Sequence, residues 1–285
     1  MNEMAYHLKN ILGDFIIDPG FQHYKKGKTT MELPSEMIRK TLPLFKEKSN
    51  FAAFHEKNIE LTKKSLRHSV SDDQLITQAI SNINELDKVS NTLTKRLREW
   101  FSWYYPELSE TVTDNKKFAE LAVDAKRPSD SFGASLEHHH VEEIVLLAKE
   151  INKLYSLREK HEEYLETVLK KYCPNLQELA GTTIAAKLLE LGKSLKHLAM
   201  LPASTIQLLG AEKALFRHIL TGSRSPKYGV LFQHPFIQNA QRNERGKAAR
   251  MLADKLSLCA RLDYFKGEFL AKEYRKEMEA KLRSR

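Results

Sequence analysis

The nonapeptide GAEKALFRH, from Gly210 to His218, places a glycine, an acid, two cations, a histidine and a phenylalanine within nine residues. Two readings fit it. In one, Glu212 and Lys213 fill the first turn of a helix, Leu215, Phe216 and Ile219 pack inward, and Gly210 only interrupts the chain. In the other, the helix start aims its backbone N–H groups and Lys213 at a phosphate, which the positive end of the helix dipole helps to hold, and Arg217 extends the cationic surface. On the residues alone both stay open.

Other clusters carry less chemistry. Gly192-Lys193-Ser194 invites a phosphate-loop reading, but that motif needs a glycine five residues before the Gly-Lys pair, and Lys187 stands there in an apolar helical pattern with no preceding strand. His138, His139 and His140 suggest a metal. Consecutive helical side chains point about 100° apart and are not expected to converge on one ion, and Glu142 and Glu143 read as a solvated face, so no metal site is expected. No serine is flanked by glycines, and Cys173 adjoins Pro174 without an identifiable base. Cys173 and Cys259 are the only cysteines, too few for a disulfide scaffold, and are expected to be reduced and inert. The acids lie along helical faces with Lys or Arg partners, as in surface ion pairs. No catalytic residue, cofactor or enzymatic activity is expected.

The charge is unevenly distributed. The chain of 285 residues has a formal net charge of +9, but residues 1–170 carry 25 Lys/Arg against 27 Asp/Glu and residues 171–285 carry 21 against 10, which gives −2 and +11. A basic excess confined to one end is an electrostatic footprint for a polyanion such as nucleic acid, or else a basic surface that serves solubility. The start, MNEMAYHLKNILGDF, lacks the apolar run of a signal peptide, and no stretch reaches the roughly 20 apolar residues of a membrane span. A soluble, cytoplasmic protein with no membrane partner is expected.

The elements that must position these residues can be traced along the chain. Residues 1–68 form a small α+β module: FIIDPGF is a strand ending in a Pro-Gly turn, and MELPSEMIRKTLPLF holds one short helix. Ile76, Ile80, Ile83, Leu86, Leu93, Leu97, Trp100 and Tyr104 then recur at helical spacing, with Ser90 breaking the seam, Ser71-Asp72-Asp73 at the start and Pro106 at the end. A second stripe runs through Ile144, Leu147, Ile151, Leu154, Leu165 and Val168. Two long helices joined by residues 106–134 predict an antiparallel coiled-coil hairpin over 69–172, which could recruit a second copy or stay a plain bundle. Residues 173–285 read as compact and helical, with SRSPKYGVLFQHPFIQ an extended loop. In the helix that follows, Ala248, Ala249, Leu252 and Leu256 face one side while Arg242, Arg245, Lys247 and Arg250 fan across the other.

GAEKALFRH, the preceding LPASTIQLLG, SPKYGVLFQHPFIQ, RGKAARMLADKLSLCARLDYF and, in the first rod, LTKRLREWFSWYYPEL together resemble the Nop-domain family over about residues 60–285. The likeness is strongest to the archaeal scaffold proteins of box C/D ribonucleoproteins, and a splicing factor belongs to the same family. The resemblance implies a mainly α protein in which a C-terminal all-helical Nop domain, residues 173–285, recognises kink-turn guide RNA together with the ribosomal-protein-like subunit bound to it. It implies homodimerisation through the coiled coil, and docking of the methyltransferase fibrillarin on residues 1–68, a module shorter than in many members. By motif match, Ala211, Glu212, Lys213, Phe216 and Arg217 would meet RNA. Lys227, Arg245, Lys247 and Arg250 would grip its backbone, with Gln241 and Arg242 one step before that helix. A splicing-factor-like role and a coiled-coil protein without RNA are the alternatives.

Overall fold

A computed structural model describes residues 5–10, 12–46, 48–67 and 69–283. The ends of the module placed at 1–68, residues 1–4 and 68, lie outside them. The protein is mainly α and divides into two compact units, Met1–Ser71 and Asp72–Arg285.

In the first unit, strands β1 (Tyr6–Asn10), β2 (Gly13–Ile17) and β3 (Tyr24–Lys26) form an antiparallel sheet in that order. Alternation along β2 buries Phe15 and Ile17 on one face, where Phe15 meets Tyr24 and Phe45 edge-on at 5.6 and 5.3 Å. The strand and turn expected of FIIDPGF are present, and Asp18 fastens the turn by accepting from the backbone N–H groups of Gln22 (2.9 Å) and His23 (2.8 Å). These bonds hold its carboxyl below the usual range. Helix α1 (Ile38–Thr41) lies within MELPSEMIRKTLPLF. Strands β1 and β3 and the 20-residue helix α2 (Lys48–Arg67) are additions that the sequence pattern does not predict.

The second unit begins with α3 (Asp72–Tyr104), followed by α4 (Pro106–Thr111), α5 (Asn115–Asp124) and α6 (His138–Tyr172). Helices α3 and α6 are antiparallel: Asp87 pairs with Arg158 at 2.9 Å, while Thr94, further along α3, meets Tyr155, which comes earlier on α6. The expected seam is present with a rotation. Ser90 and Thr94 are buried while Leu86 and Leu93 are only half-buried, and on α6 Ala148 and Leu169 take the places foreseen for Leu147 and Val168. A straight helix drifts about 20° per heptad, so a stripe drawn by eye slips by one position over two or three repeats.

Residues 106–134 are more than a connector. Helix α5, capped by Asp114, which accepts from Lys117 N–H at 2.8 Å, buries Phe118, Ala119 and Ala122 against Leu97, Phe101, Ile144, Ala148 and Ile151. Arg98 ties the tip together. Its guanidinium lies 4.3 Å from the Phe118 ring centroid and donates to the carbonyls of Ser109, Thr113 and Asp114 at 3.0–3.2 Å.

Beyond the arm come α7 (Pro174–Ala180), α8 (Thr182–Gly192), α9 (Leu195–Met200), α10 (Ala203–Leu208), α11 (Glu212–Thr221), α12 (Pro235–Gln238), α13 (Arg245–Tyr264) and α14 (Ala271–Arg283). Ile76, Ile80, Ile83, Leu165 and Leu169 of the arm share one core with Leu176, Leu188, Leu198, Leu252 and Leu256, so the arm grows directly out of the terminal helices. As the sequence predicts, Ala248, Ala249, Leu252 and Leu256 all face inward. Asn175, itself buried, closes this core. Its amide donates to Asp263 (2.9 Å) and to the Glu268 carbonyl (3.2 Å), and its oxygen accepts from Leu270 N–H (2.8 Å) and Ala271 N–H (3.1 Å). One side chain thereby joins the start of α7, the end of α13 and the start of α14.

Candidate nucleic-acid interface

Gly192-Lys193-Ser194 is a helix joint. Lys193 ends α8 in the left-handed conformation (φ 64°), and Ser194 caps α9 by accepting from His197 N–H at 3.1 Å. Cys173 and Cys259 are buried free thiols, and burial pushes the Cys259 thiol up to about 12 and that of Cys173 higher still. Neither is a nucleophile at neutral pH. The histidine run departs from expectation: donor atoms of Glu137, His139 and His140 all lie within 4.8 Å of one another.

GAEKALFRH opens on a sharp turn. Gly210 is in the left-handed region (φ 83°), and a Cβ there would stand 2.5 Å from Val230 Cγ2. Glu212 turns back, its carboxylate accepting from Gly210 N–H at 2.8 Å, which tightens the turn that leads into the helix. Ala211 brings no side-chain hydrogen bond to the first turn of α11. The decisive observation concerns the apolar side. Helix α11 buries none of its residues, and Phe216, Ile219 and Leu220 are 64%, 67% and 82% exposed. This corrects the inward-packing reading of Phe216 and Ile219: the helix carries an apolar ridge on its surface beside exposed Lys213 and Arg217. Ile219 and Leu220 were absent from the sequence-predicted set, because apolar residues at helical spacing look the same whether they face a core or a partner.

One loop joins α11 to the basic start of α13. Gly229 N–H donates to the Gln207 carbonyl (3.0 Å), Val230 N–H donates to the Leu209 carbonyl (2.8 Å), and the Gln207 amide donates to the Lys227 carbonyl (2.6 Å). Gly229 permits the approach, since a Cβ there would lie 1.9 Å from the Leu209 oxygen. On its other side the Lys227 stem lies against Gly246, 3.4 Å from where a Cβ would stand. Lys227 is therefore beside Arg245 and Lys247, and the same loop contacts the turn before Ala211. The segment foreseen as an extended loop is partly helical, with a 3-10 turn over Val230–Gln233 and then α12.

The predicted residues are not equivalent. Lys213, Arg217, Lys227, Arg242, Lys247 and Arg250 are exposed. Arg245 is half-buried and donates to the carbonyls of Ala240 and Gln238, both at 3.2 Å, with its guanidinium 5.7 Å from the Phe232 ring centroid. Part of its donor capacity holds the entrance of α13. Gln241 lines a separate cleft of about 600 Å³ with Leu179, His234, Glu244, Arg275 and Met278.

These features describe a helical protein with a long antiparallel arm, whose terminal helices carry exposed cations on α11, at Lys227 and at the start of α13, and an apolar ridge on α11. The chain matches the family model described as "Nop: snoRNA binding domain, fibrillarin" over residues 82–131 and 121–284, and it belongs to that family. It is 38% identical over 254 residues to an uncharacterized NOP5 family protein of Methanocaldococcus jannaschii, covering 79% of this chain and 61% of the relative. It is 35% identical over 223 residues to nucleolar protein 56 of Schizosaccharomyces pombe, covering 68% of this chain and 45% of that protein. The chain thus spans between about half and three fifths of the length of these relatives. A solved fibrillarin/Nop5p complex has a chain that is 25% identical with a TM-score of 0.49, covering 97% of this chain and 99% of that one. No helix among the described residues is long and apolar enough to cross a membrane.

Proposed function

We propose that the chain is a non-catalytic scaffold of an archaeal-type box C/D ribonucleoprotein. It would bind kink-turn guide RNA together with its ribosomal-protein-like subunit and position fibrillarin for guide-directed 2′-O-methylation. In this reading residues 173–285 are the RNA- and RNP-binding domain, 69–172 the homodimerisation arm and 1–68 the fibrillarin dock. The observation that carries it is α11, an amphipathic helix with none of its residues buried, joined through the loop at Lys227 to the cationic start of α13. A protein core has no use for such a ridge, whereas a composite RNA–protein partner offers phosphates to Lys213, Arg217, Lys227 and Lys247 and an apolar or base surface to Phe216. The scaffold acts through position: holding the methyltransferase at a fixed span from the bound RNA turns a rare encounter into proximity at one 2′-hydroxyl.

The test is reconstitution of the full chain with fibrillarin, the kink-turn-binding subunit and guide RNA, with the affinity for the RNA–protein complex measured across salt concentrations. Each neutralised phosphate contributes roughly 0.7–0.9 to the log–log slope, so the six exposed cations set a ceiling near 5. Lys213→Glu with Lys247→Glu is expected to weaken binding and to reduce the slope by about one for each phosphate no longer neutralised. A slope near zero, or an affinity untouched by the double reversal, refutes the assignment.

A further inference from the structure

We propose that Glu137, His139 and His140 form a binding site for a divalent transition-metal ion of the zinc type, at the end of the arm opposite the terminal helices. The proposal is independent of the ribonucleoprotein reading. Its basis is the convergence that helical geometry alone argues against: one donor atom from each of the three side chains lies within 4.8 Å of the other two. His139 Nδ1 already stands 3.3 Å from Glu137 Oε2, and the two imidazole centroids are 3.8 Å apart. Donors bound to zinc at about 2.0–2.2 Å in tetrahedral geometry sit roughly 3.4 Å from one another, so one pair is already at ligand spacing and small side-chain rotations bring in the third.

Two local features produce the convergence. Glu137 precedes α6 in extended conformation (φ −67°, ψ 151°), and its carbonyl accepts from His140 N–H at 3.1 Å, which folds the residue back beneath the helix start. The first turn of a helix also has no preceding turn to exclude the side-chain rotamers forbidden further along, so neighbouring imidazoles can lean together. Two imidazoles and a carboxylate are a zinc donor set that leaves one position for water. The positive end of the α6 dipole opposes a cation, but Glu137 to Glu143 contains three carboxylates and no Lys or Arg, which restores a negative field. Glu137 belongs to the loop side and the histidines to α6, so the ion would staple the loop to the helix. That loop is anchored on α3 by Ala134 N–H donating to the Trp103 carbonyl at 2.7 Å.

The test is a titration of the full chain with zinc ion in competition with a chromophoric chelator at pH 7.5, followed by cobalt(II) substitution to read the ligand field. One zinc per chain is expected. His139→Ala, His140→Ala and Glu137→Gln should each weaken binding by about tenfold or more, since even the outer partners of metal ligands matter on that scale. His138→Ala should leave it unchanged, because His138 pairs with Glu142 at 3.2 Å instead. Zinc retained in full by the His139→Ala/His140→Ala double variant, binding abolished by His138→Ala, or no saturable uptake by the wild-type chain would each overturn the assignment.

Discussion

Replacing Gly229 by alanine tests how the candidate interface is held. A Cβ at this position would stand 1.9 Å from the Leu209 carbonyl oxygen and 2.9 Å from that of Leu208. Both obstacles are backbone, so no rotamer change relieves the clash, and the loop must retreat by about 1.5 Å to reach ordinary van der Waals distance. That retreat stretches the Gly229–Gln207 and Val230–Leu209 hydrogen bonds, now 3.0 and 2.8 Å, beyond useful length. Two broken backbone bonds at about 0.5–1.5 kcal/mol each, plus the desolvation of groups left half-buried, come to roughly 2–4 kcal/mol. Leu231 of the same segment is buried in the core with Leu188, Leu198 and Leu252, and Tyr228, Val230 and Leu209 pack against it, so the retreat should expose the loop amides and also lower the stability of the unit.

Hydrogen exchange at the amides of residues 229 and 230 reads this directly: protection should drop by roughly 30- to 1,000-fold, the same free energy at 1.4 kcal/mol per tenfold. Gly222→Ala is the control. Gly222 also has a positive φ (65°), but a Cβ there meets nothing within 4 Å, so only about 1 kcal/mol of backbone preference is at stake and residues 229 and 230 should stay protected. RNP affinity should fall for Gly229→Ala and hold for Gly222→Ala. Unchanged protection in Gly229→Ala, or an equal drop in both variants, would show that the loop is not docked through this approach.

Two further outcomes test the support of the terminal helices. Asn175→Leu keeps the branched shape but removes the acceptor for Leu270 and Ala271 N–H and a donor to Asp263, so urea unfolding should show destabilisation of the 72–285 unit by roughly 3–5 kcal/mol; a change under 1 kcal/mol would mean that water replaces the clamp. His234 accepts from Phe236 N–H at Nδ1 (3.1 Å), which leaves the proton on Nε2 to donate to the Leu179 carbonyl (3.0 Å). Burial first, then the charge of Arg275, lowers its pKa below 6.5. Its contribution is therefore complete above the unfolded value of 6.5 and is lost as pH falls through the folded value, so thermal stability should decline on acidification below about pH 6.5. In His234→Asn that part of the decline should disappear, and an identical pH profile in the variant would refute the assignment.

The rods were legible because a period between 3.5 and 3.6 residues, sustained from Ile76 to Tyr104 and from Ile144 to Val168, has few other physical explanations. The cationic end was legible because charge counts need no structure. Strand β3, three residues reading Tyr-Lys-Lys, gave no alternation to detect, and its place is set by pairing with Phe15 and Ile17. Helix α5 was hidden because the proline and aspartates around it read as a connector, while the fact that fixes it, Phe118 packed under Arg98, is long-range. His139 and His140 were judged by mid-helix geometry although they occupy a first turn, where that geometry does not bind.

Phe216, Ile219 and Leu220 show most clearly where pattern reading stops. Periodicity identifies an apolar face but is silent about what covers it, and only packing distinguishes a core stripe from an exposed one. On α13 the face at Ala248, Leu252 and Leu256 is covered by the protein itself; on α11, within the same unit and with an equally regular pattern, it is left bare. Leaving it bare costs solubility and gains nothing in folding, which is why an exposed apolar ridge points to an interaction surface, and Gly210 and Gly229 let the turn before that helix dock on the loop that carries Lys227.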